Sequence, residues 1–98
     1  MEVRVNAIHF EMTEKLEAFV VKKAEKLVRR YPAVDYIDVN LRLIKPETAM
    51  TKMATVKAIV PVEGDQVAEK TADTFEEATD LALEAVEKML EKIKNKNR

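Results

Sequence analysis

Asp35 to Lys45, DYIDVNLRLIK, places Ile37, Val39, Leu41 and Leu43 on one side and Tyr36, Asp38, Asn40 and Arg42 on the other. Strict alternation over this length, rich in β-branched and aromatic residues, is the signature of a strand with one buried face. It is the clearest strand in the chain, and it is entered through Pro32, which disfavours helical geometry in the residue before it. A helix must therefore end near Tyr31. Upstream, TEKLEAFVVKKAEKLVRRY from Thr13 to Tyr31 brings Leu16, Val20, Ala24, Leu27 and Tyr31 within about 80° of one another at 100° per residue. That stripe is a core-facing helical face, with Thr13 suited to cap its start. Ahead of it, Glu2 to Ala7 alternates around Val3 and Val5 as a first, half-buried strand.

Downstream, Pro46 to Lys52 reads as a loop and Met53 to Val60 as a third strand, with Ala54, Val56, Ala58 and Val60 inward. Pro61 ends it, and the single glycine, in VEGD, marks a hairpin turn. Val67 to Ala72 is a weaker fourth strand, because Lys70 interrupts its apolar pattern as edge strands often require. A long helix begins at about Thr74, capped by Asp73 or Thr74, with Glu76 and Glu77 in its first turn and lysines in its last, as the helix dipole prefers. Phe75, Ala82, Val86, Met89, Leu90 and Ile93 give it a broad apolar face. The order β-α-β-β-β-α predicts an α+β, two-layer sandwich: a four-stranded sheet with both helices packed on one face.

Composition narrows the chemistry. With 98 residues, 47% apolar and 36% charged, the chain suits one domain spanning residues 1–98 around a single core. It has no cysteine and no serine, and His9 is its one imidazole. A disulfide framework, a Ser-His-Asp arrangement and a multi-histidine metal site are all excluded by residue count. Neither catalysis nor a small-molecule substrate is expected, and no cofactor or metal. No apolar run approaches the length of a membrane span, so no membrane partner is expected and a cytoplasmic location follows.

The net charge of −1 conceals a division within the chain. Thr13 to Tyr31 carries +3, Lys88 to Arg98 carries +4, and the remainder sums to −8. On the first helix Lys15, Lys22, Lys23, Lys26, Arg29 and Arg30 fall in an arc of about 120°, while Glu14, Glu17 and Glu25 lie round the other side. Phe19 projects into the middle of that basic arc. A helix needing only solubility would intermix its charges and gain i, i+4 pairs. On the last helix Lys88, Lys92 and Lys96 form a stripe beside the apolar face, with Asp80, Glu84, Glu87 and Glu91 on the far side. Two basic segments in an otherwise acidic molecule make a directional field of the kind that steers binding to phosphates. If the helices lie side by side with these flanks together, their basic stripes line a common groove, and the sequence alone does not fix which flank faces which.

These elements and motifs resemble the short ribosome hibernation-promoting factor and ribosome-associated inhibitor family, also known as sigma-54 modulation proteins. The resemblance covers essentially the whole chain. Thr13, Glu14, Leu16, Lys23, Lys26, Leu27 and Tyr31 match the family's first helix, Glu87 to Lys96 (EKMLEKIKNK) corresponds to the close of its second, and KPET (Lys45 to Thr48) and ADTFEEA (Ala72 to Ala78) are also family-like. Lys88 stands where the family has arginine, Glu91 where it is basic, and Ile93 where it has an aromatic. The resemblance implies binding to the small ribosomal subunit and its ribosomal RNA, in the channel between head and platform, and a block on translation while ribosomes are stored. Carried over by position, Lys23, Lys26, Lys88, Lys92, Lys94 and Lys96 are the expected RNA contacts. Lys22, Arg29 and Arg30 join them from the basic arc. The chain ends at Arg98, before the C-terminal dimerisation domain of the long family form, so pairing of ribosomes by that route is not expected.

Two other readings compete. One is a general double-stranded RNA-binding module, which combines a similar sheet with two helices. The other is a protein-interaction module using the acidic face of the last helix together with Tyr36, Ile44 and Ile59 on the outer sheet face, through which weak self-association would also run.

Overall fold

The computed structural model describes residues 3–44 and 51–96, with Lys96 described in its backbone alone; KPET and most of the expected 46–52 loop lie outside the described residues. The elements follow the expected order: β1 (Val3–Ile8), α1 (Glu14–Arg30), β2 (Tyr36–Leu43), β3 (Lys52–Ile59), β4 (Gln66–Ala72) and α2 (Phe75–Lys96). Strand boundaries differ from the sequence reading by one residue at β3, whose pairing with β2 runs from Lys52 opposite Leu43 to Ile59 opposite Tyr36. Val60 lies just beyond the strand but is still buried.

The sheet order is β1-β2-β3-β4, with β1 parallel to β2 and the other neighbours antiparallel. A parallel pair needs a crossover, and α1 supplies it. It packs on β1 and β2, while α2 covers β3 and β4. The sheet is therefore buried on one face and bare on the other, which is why its strands alternate so plainly.

Local chemistry sets the ends of both helices. The Thr13 hydroxyl accepts the Leu16 N–H at 3.1 Å, and the Thr74 hydroxyl accepts that of Glu77 at 3.1 Å, so Thr74 rather than Asp73 provides this side-chain cap. Each satisfies a backbone donor that the helix itself cannot. At the other end of α1 Tyr31 takes extended geometry before Pro32, although its N–H still bonds the Leu27 carbonyl. The β3–β4 turn holds Gly64 at φ 96°, in open space, so backbone conformation rather than crowding selects glycine there.

The core lies between the inner sheet face and the helices. Ile37, Val39 and Leu41 of β2 are fully buried, as are Ala54, Val56 and Ala58 of β3. Ala78 and Ala82 of α2 are fully buried too, and small residues on both sides let this helix lie close to the sheet. Every member of the expected α1 stripe is buried, and Val28 joins it. Phe10, in the β1–α1 connection, stacks on Phe75 with ring centroids 4.3 Å apart and closes one end of the core. Just before it His9 adopts φ 68°, an uncommon geometry outside glycine that turns the chain toward α1.

Candidate nucleic-acid interface

β1, β2 and β4 run in the same direction, so α1 and α2, which follow β1 and β4, lie side by side and parallel. Their contacts keep step. Lys23 Nζ lies 3.7 Å from Asp80 Oδ1, and seven residues further along both helices the Arg30 guanidinium donates to Glu87 Oε2 at 2.8 Å. Seven residues are two turns, so one flank of each helix meets its partner at regular rungs. Between them Leu27 and Leu83 are buried, and with Lys26 and Glu84 on its sides the groove encloses about 410 Å³.

Of the flank pairings that the sequence leaves open, this arrangement rules out a common basic groove. The flank of α2 that faces α1 is the acidic one, with Asp80, Glu84 and Glu87 opposite Lys23, Lys26 and Arg30. Asp80 and Glu87 of that acidic face are engaged in ion pairs with α1, while Glu84 stays exposed. The physical reason is direct: parallel helices align their dipoles unfavourably, and opposite side-chain charges across the seam offset both that and the cost of crowding six cations on α1. Each exposed pair contributes less than about 1 kcal/mol, so the seam is an alignment device more than a source of stability.

Tyr31 anchors the far end of the seam. It is 4% exposed, and its hydroxyl donates to Glu91 Oε2 at 2.6 Å, with Glu87 Oε2 at 3.5 Å. Arg30 and Lys94 each lie 5.9 Å from its ring centroid. Glu91, which departs from the family pattern, thus has an internal partner here. Burial, the hydrogen bond to Glu91 and the carboxylate charges of Glu87 and Glu91 push the Tyr31 phenol up to about 12, against a smaller opposing influence from Arg30. A phenol whose pKa is raised by folding stabilises the native state below its unfolded pKa of 10.0, and that contribution disappears as pH rises toward 12. Wild-type protein is therefore expected to lose about 2 kcal/mol between pH 10 and 12 from this group, a loss absent from Tyr31→Phe. Urea unfolding of both proteins across that range checks this, and parallel curves would refute it.

The remaining candidates separate into two groups. Lys22, Lys26 and Arg29 are exposed on α1 and, among the described residues, form no ion pair. Phe19 beside them is half-buried against the core, with the Lys23 ammonium 5.5 Å from its ring centroid, so it supports a cation more than it offers a free stacking surface. Lys88 and Lys92 are exposed on the opposite side of α2, next to β4, and Glu84 and Lys88, one turn apart, form no ion pair. Lys94 sits with Tyr31, Pro32 and Ile93 at the C-terminal end of the seam. The Lys96 side chain lies outside the described residues.

Lys70 was missed as a candidate. Its break in the β4 alternation is legible in the sequence, but its position beside Lys88 and Lys92 depends on α2 covering β4. On the bare sheet face Arg4 lies 4.9 Å from the Tyr36 ring centroid, and Asn6 donates to Asn40 at 3.1 Å. That face is more polar and more internally bonded than the alternation alone suggests.

The architecture is that of a four-stranded α+β sandwich carrying cationic helix edges. Two solved structures share it: a ribosomal subunit interface protein from Coxiella burnetii, at 17% identity and TM-score 0.82, covering 97% of this chain and 99% of that one, and the N-terminal domain of Protein Y from Thermus thermophilus, at 21% identity and TM-score 0.77, covering 95% and 99%. No curated protein matches by sequence. Residues 3–98 match the sigma 54 modulation protein / S30EA ribosomal protein family, and the chain belongs to that family. Among the described residues no helix is long and apolar enough to cross a membrane, and no group of three or more His, Asp or Glu is placed to hold a metal ion.

Proposed function

We propose that this protein acts as one domain that binds the small ribosomal subunit in the cytoplasm, in the channel that messenger and transfer RNA would occupy, and inhibits translation there during ribosome hibernation or stress without catalysing a reaction. The observation that carries this reading is the open cationic edge of α1, Lys22, Lys26 and Arg29, on a chain of the S30EA family. A rigid two-layer wedge with such an edge suits ribosomal RNA, whose helices are met through phosphates and shape. Lys23 and Arg30 add positive charge at the same edge while they hold the seam, and Lys88, Lys92, Lys94 and Lys96 extend the contact along α2. The polar sheet face makes self-association the weaker use of this surface.

The test is co-sedimentation of the protein with ribosomes and with separated subunits through a sucrose cushion at two salt concentrations. Association with the small subunit that weakens as salt rises is expected, because phosphate contacts release counterions. Binding indifferent to salt, or confined to the large subunit, would refute the proposal. Equal affinity for naked duplex RNA would point instead to a general RNA-binding module.

A further inference from the structure

We infer that the end of the molecule where α1 and α2 finish is a two-fold contact with a second copy of this chain, in which Val62 of each copy enters an apolar pocket of the other. This contact lies apart from the open α1 cations Lys22 and Lys26 and needs no RNA.

Val62 sits in the β3–β4 turn and is 90% exposed, whereas the other exposed large apolar residues among those described, Val67 and Leu81, are 47% and 41% exposed. Nothing in the turn itself calls for a valine, since β-branched residues suit strands and turns favour Gly, Pro, Asn and Asp. The turn also holds that side chain in place. Pro61 fixes its own φ, the Gly64 N–H donates to the Val60 carbonyl at 2.9 Å, and the Val60 N–H donates to Asp65 Oδ1 at 3.3 Å. A knob on a braced turn loses little conformational freedom when it docks.

A hole of matching character adjoins the knob. Tyr31, Pro32, Val60, Leu90 and Ile93 line a mostly apolar pocket of about 220 Å³, and Lys94 is its one charged lining residue. Val62 follows Val60 by two residues, at most about 7 Å of chain. Its exposure shows that it does not fill the pocket of its own chain.

Knob and hole side by side on one surface are what a two-fold axis requires. Rotation brings each Val62 to the pocket of the other copy, and the contact closes at two copies. An unrelated partner would need one of the two features and not both. Charge agrees with this occupant, because Glu63 travels with the knob and Lys94 stands at the hole, so the approaching surfaces carry opposite signs. Few side chains take part, so the dimer is weak, with a dissociation constant on the order of 100 µM, as suits an interface below the standard size.

The experiment is sedimentation equilibrium of the whole chain, from tenfold below that concentration to tenfold above it, for wild type, Val62→Asp, Ile93→Trp and Val67→Asp, with thermal melting to confirm each fold. Wild type is expected to pass from monomer to dimer as concentration rises and to stop there. Val62→Asp is expected to weaken the dimer by at least about 30-fold, because two buried valines are lost and a carboxylate is costly in an apolar pocket. Ile93→Trp keeps the knob but fills the pocket from its own chain, and is expected to lose the dimer as well. Val67, paired with Lys57 on the outer sheet face, is the control, and Val67→Asp is expected to dimerise like wild type. Wild type that stays monomeric throughout, or that grows past the dimer, would overturn the inference. So would a Val62→Asp dimer as tight as wild type, or a folded Ile93→Trp that dimerises normally. Loss of the dimer in Val67→Asp but not in Val62→Asp would overturn it in favour of the sheet face. Val62 is exposed in a turn, so its substitution tests the contact even where Ile93→Trp fails to fold.

Discussion

Reversing Lys22, Lys26 and Arg29 to glutamate is expected to weaken association with the small ribosomal subunit by roughly 100-fold at moderate salt, which is about 1 kcal/mol for each cation lost. These three are exposed and form no ion pair among the described residues; because Lys26 also lines the interhelix groove, the double reversal of Lys22 and Arg29 is measured beside the triple to separate binding from any effect on the seam. Stability is expected to stay within about 0.5 kcal/mol of wild type, as for surface substitutions generally. Reversing Lys23 and Arg30 would be a poorer experiment. Each faces a carboxylate of α2, so a glutamate there sets like charges across the seam and confounds binding with helix alignment. Binding curves for the triple variant that overlay wild type, with an intact fold, would remove α1 from the interface.

Leu41→Ala is expected to cost about 3 to 4 kcal/mol, which for a domain of this size lowers the melting temperature by roughly 15 °C or more. Leu41 is fully buried at the inner face of β2, and its neighbours in register are Ala7 of β1 and Ala54 of β3. Alanines cannot swing into the space a leucine leaves, so the cavity stays and the cost lies toward the upper part of the usual range. Val39, flanked by Val5 and Val56, has bulkier neighbours and makes a milder comparison as Val39→Ala. Differential scanning calorimetry of both variants would decide this, and a larger loss at Val39 than at Leu41 would mean that the core relaxes around β2.

Strand alternation, the apolar stripe of α1 and the Thr13 cap were legible because each rests on residues within a few positions of one another, while the cap of α2 was narrowed only to Asp73 or Thr74. A period of two or of 3.6 residues reports which face of an element is buried whatever that face meets. Pro32 and Gly64 were equally readable, since their backbone preferences act locally. The candidate site was legible only in part. That α1 carries cations on one flank and α2 carboxylates on one flank is written in the chain, and the seven-residue spacing of Lys23 with Arg30 and of Asp80 with Glu87 is visible beforehand. Nothing local says that those two flanks are the ones that meet. The same holds for Tyr31, whose position in the apolar stripe predicts burial but not a hydroxyl delivered to Glu91.

By itself, then, the sequence determined the order of elements, the buried face of each and the presence of two basic segments, because periodicity, capping and charge are properties of short stretches. Only the tertiary structure decided that α1 and α2 lie parallel with the acidic flank of one against the basic flank of the other, that Lys23 and Arg30 are partly engaged while Lys22, Lys26 and Arg29 stay open, and that Lys70 joins Lys88 and Lys92 in a cleft of their own. The physical reason is that a helix shows its neighbour one flank out of several, and which flank it shows depends on the packing of both helices on the sheet, a long-range outcome that no single stretch encodes.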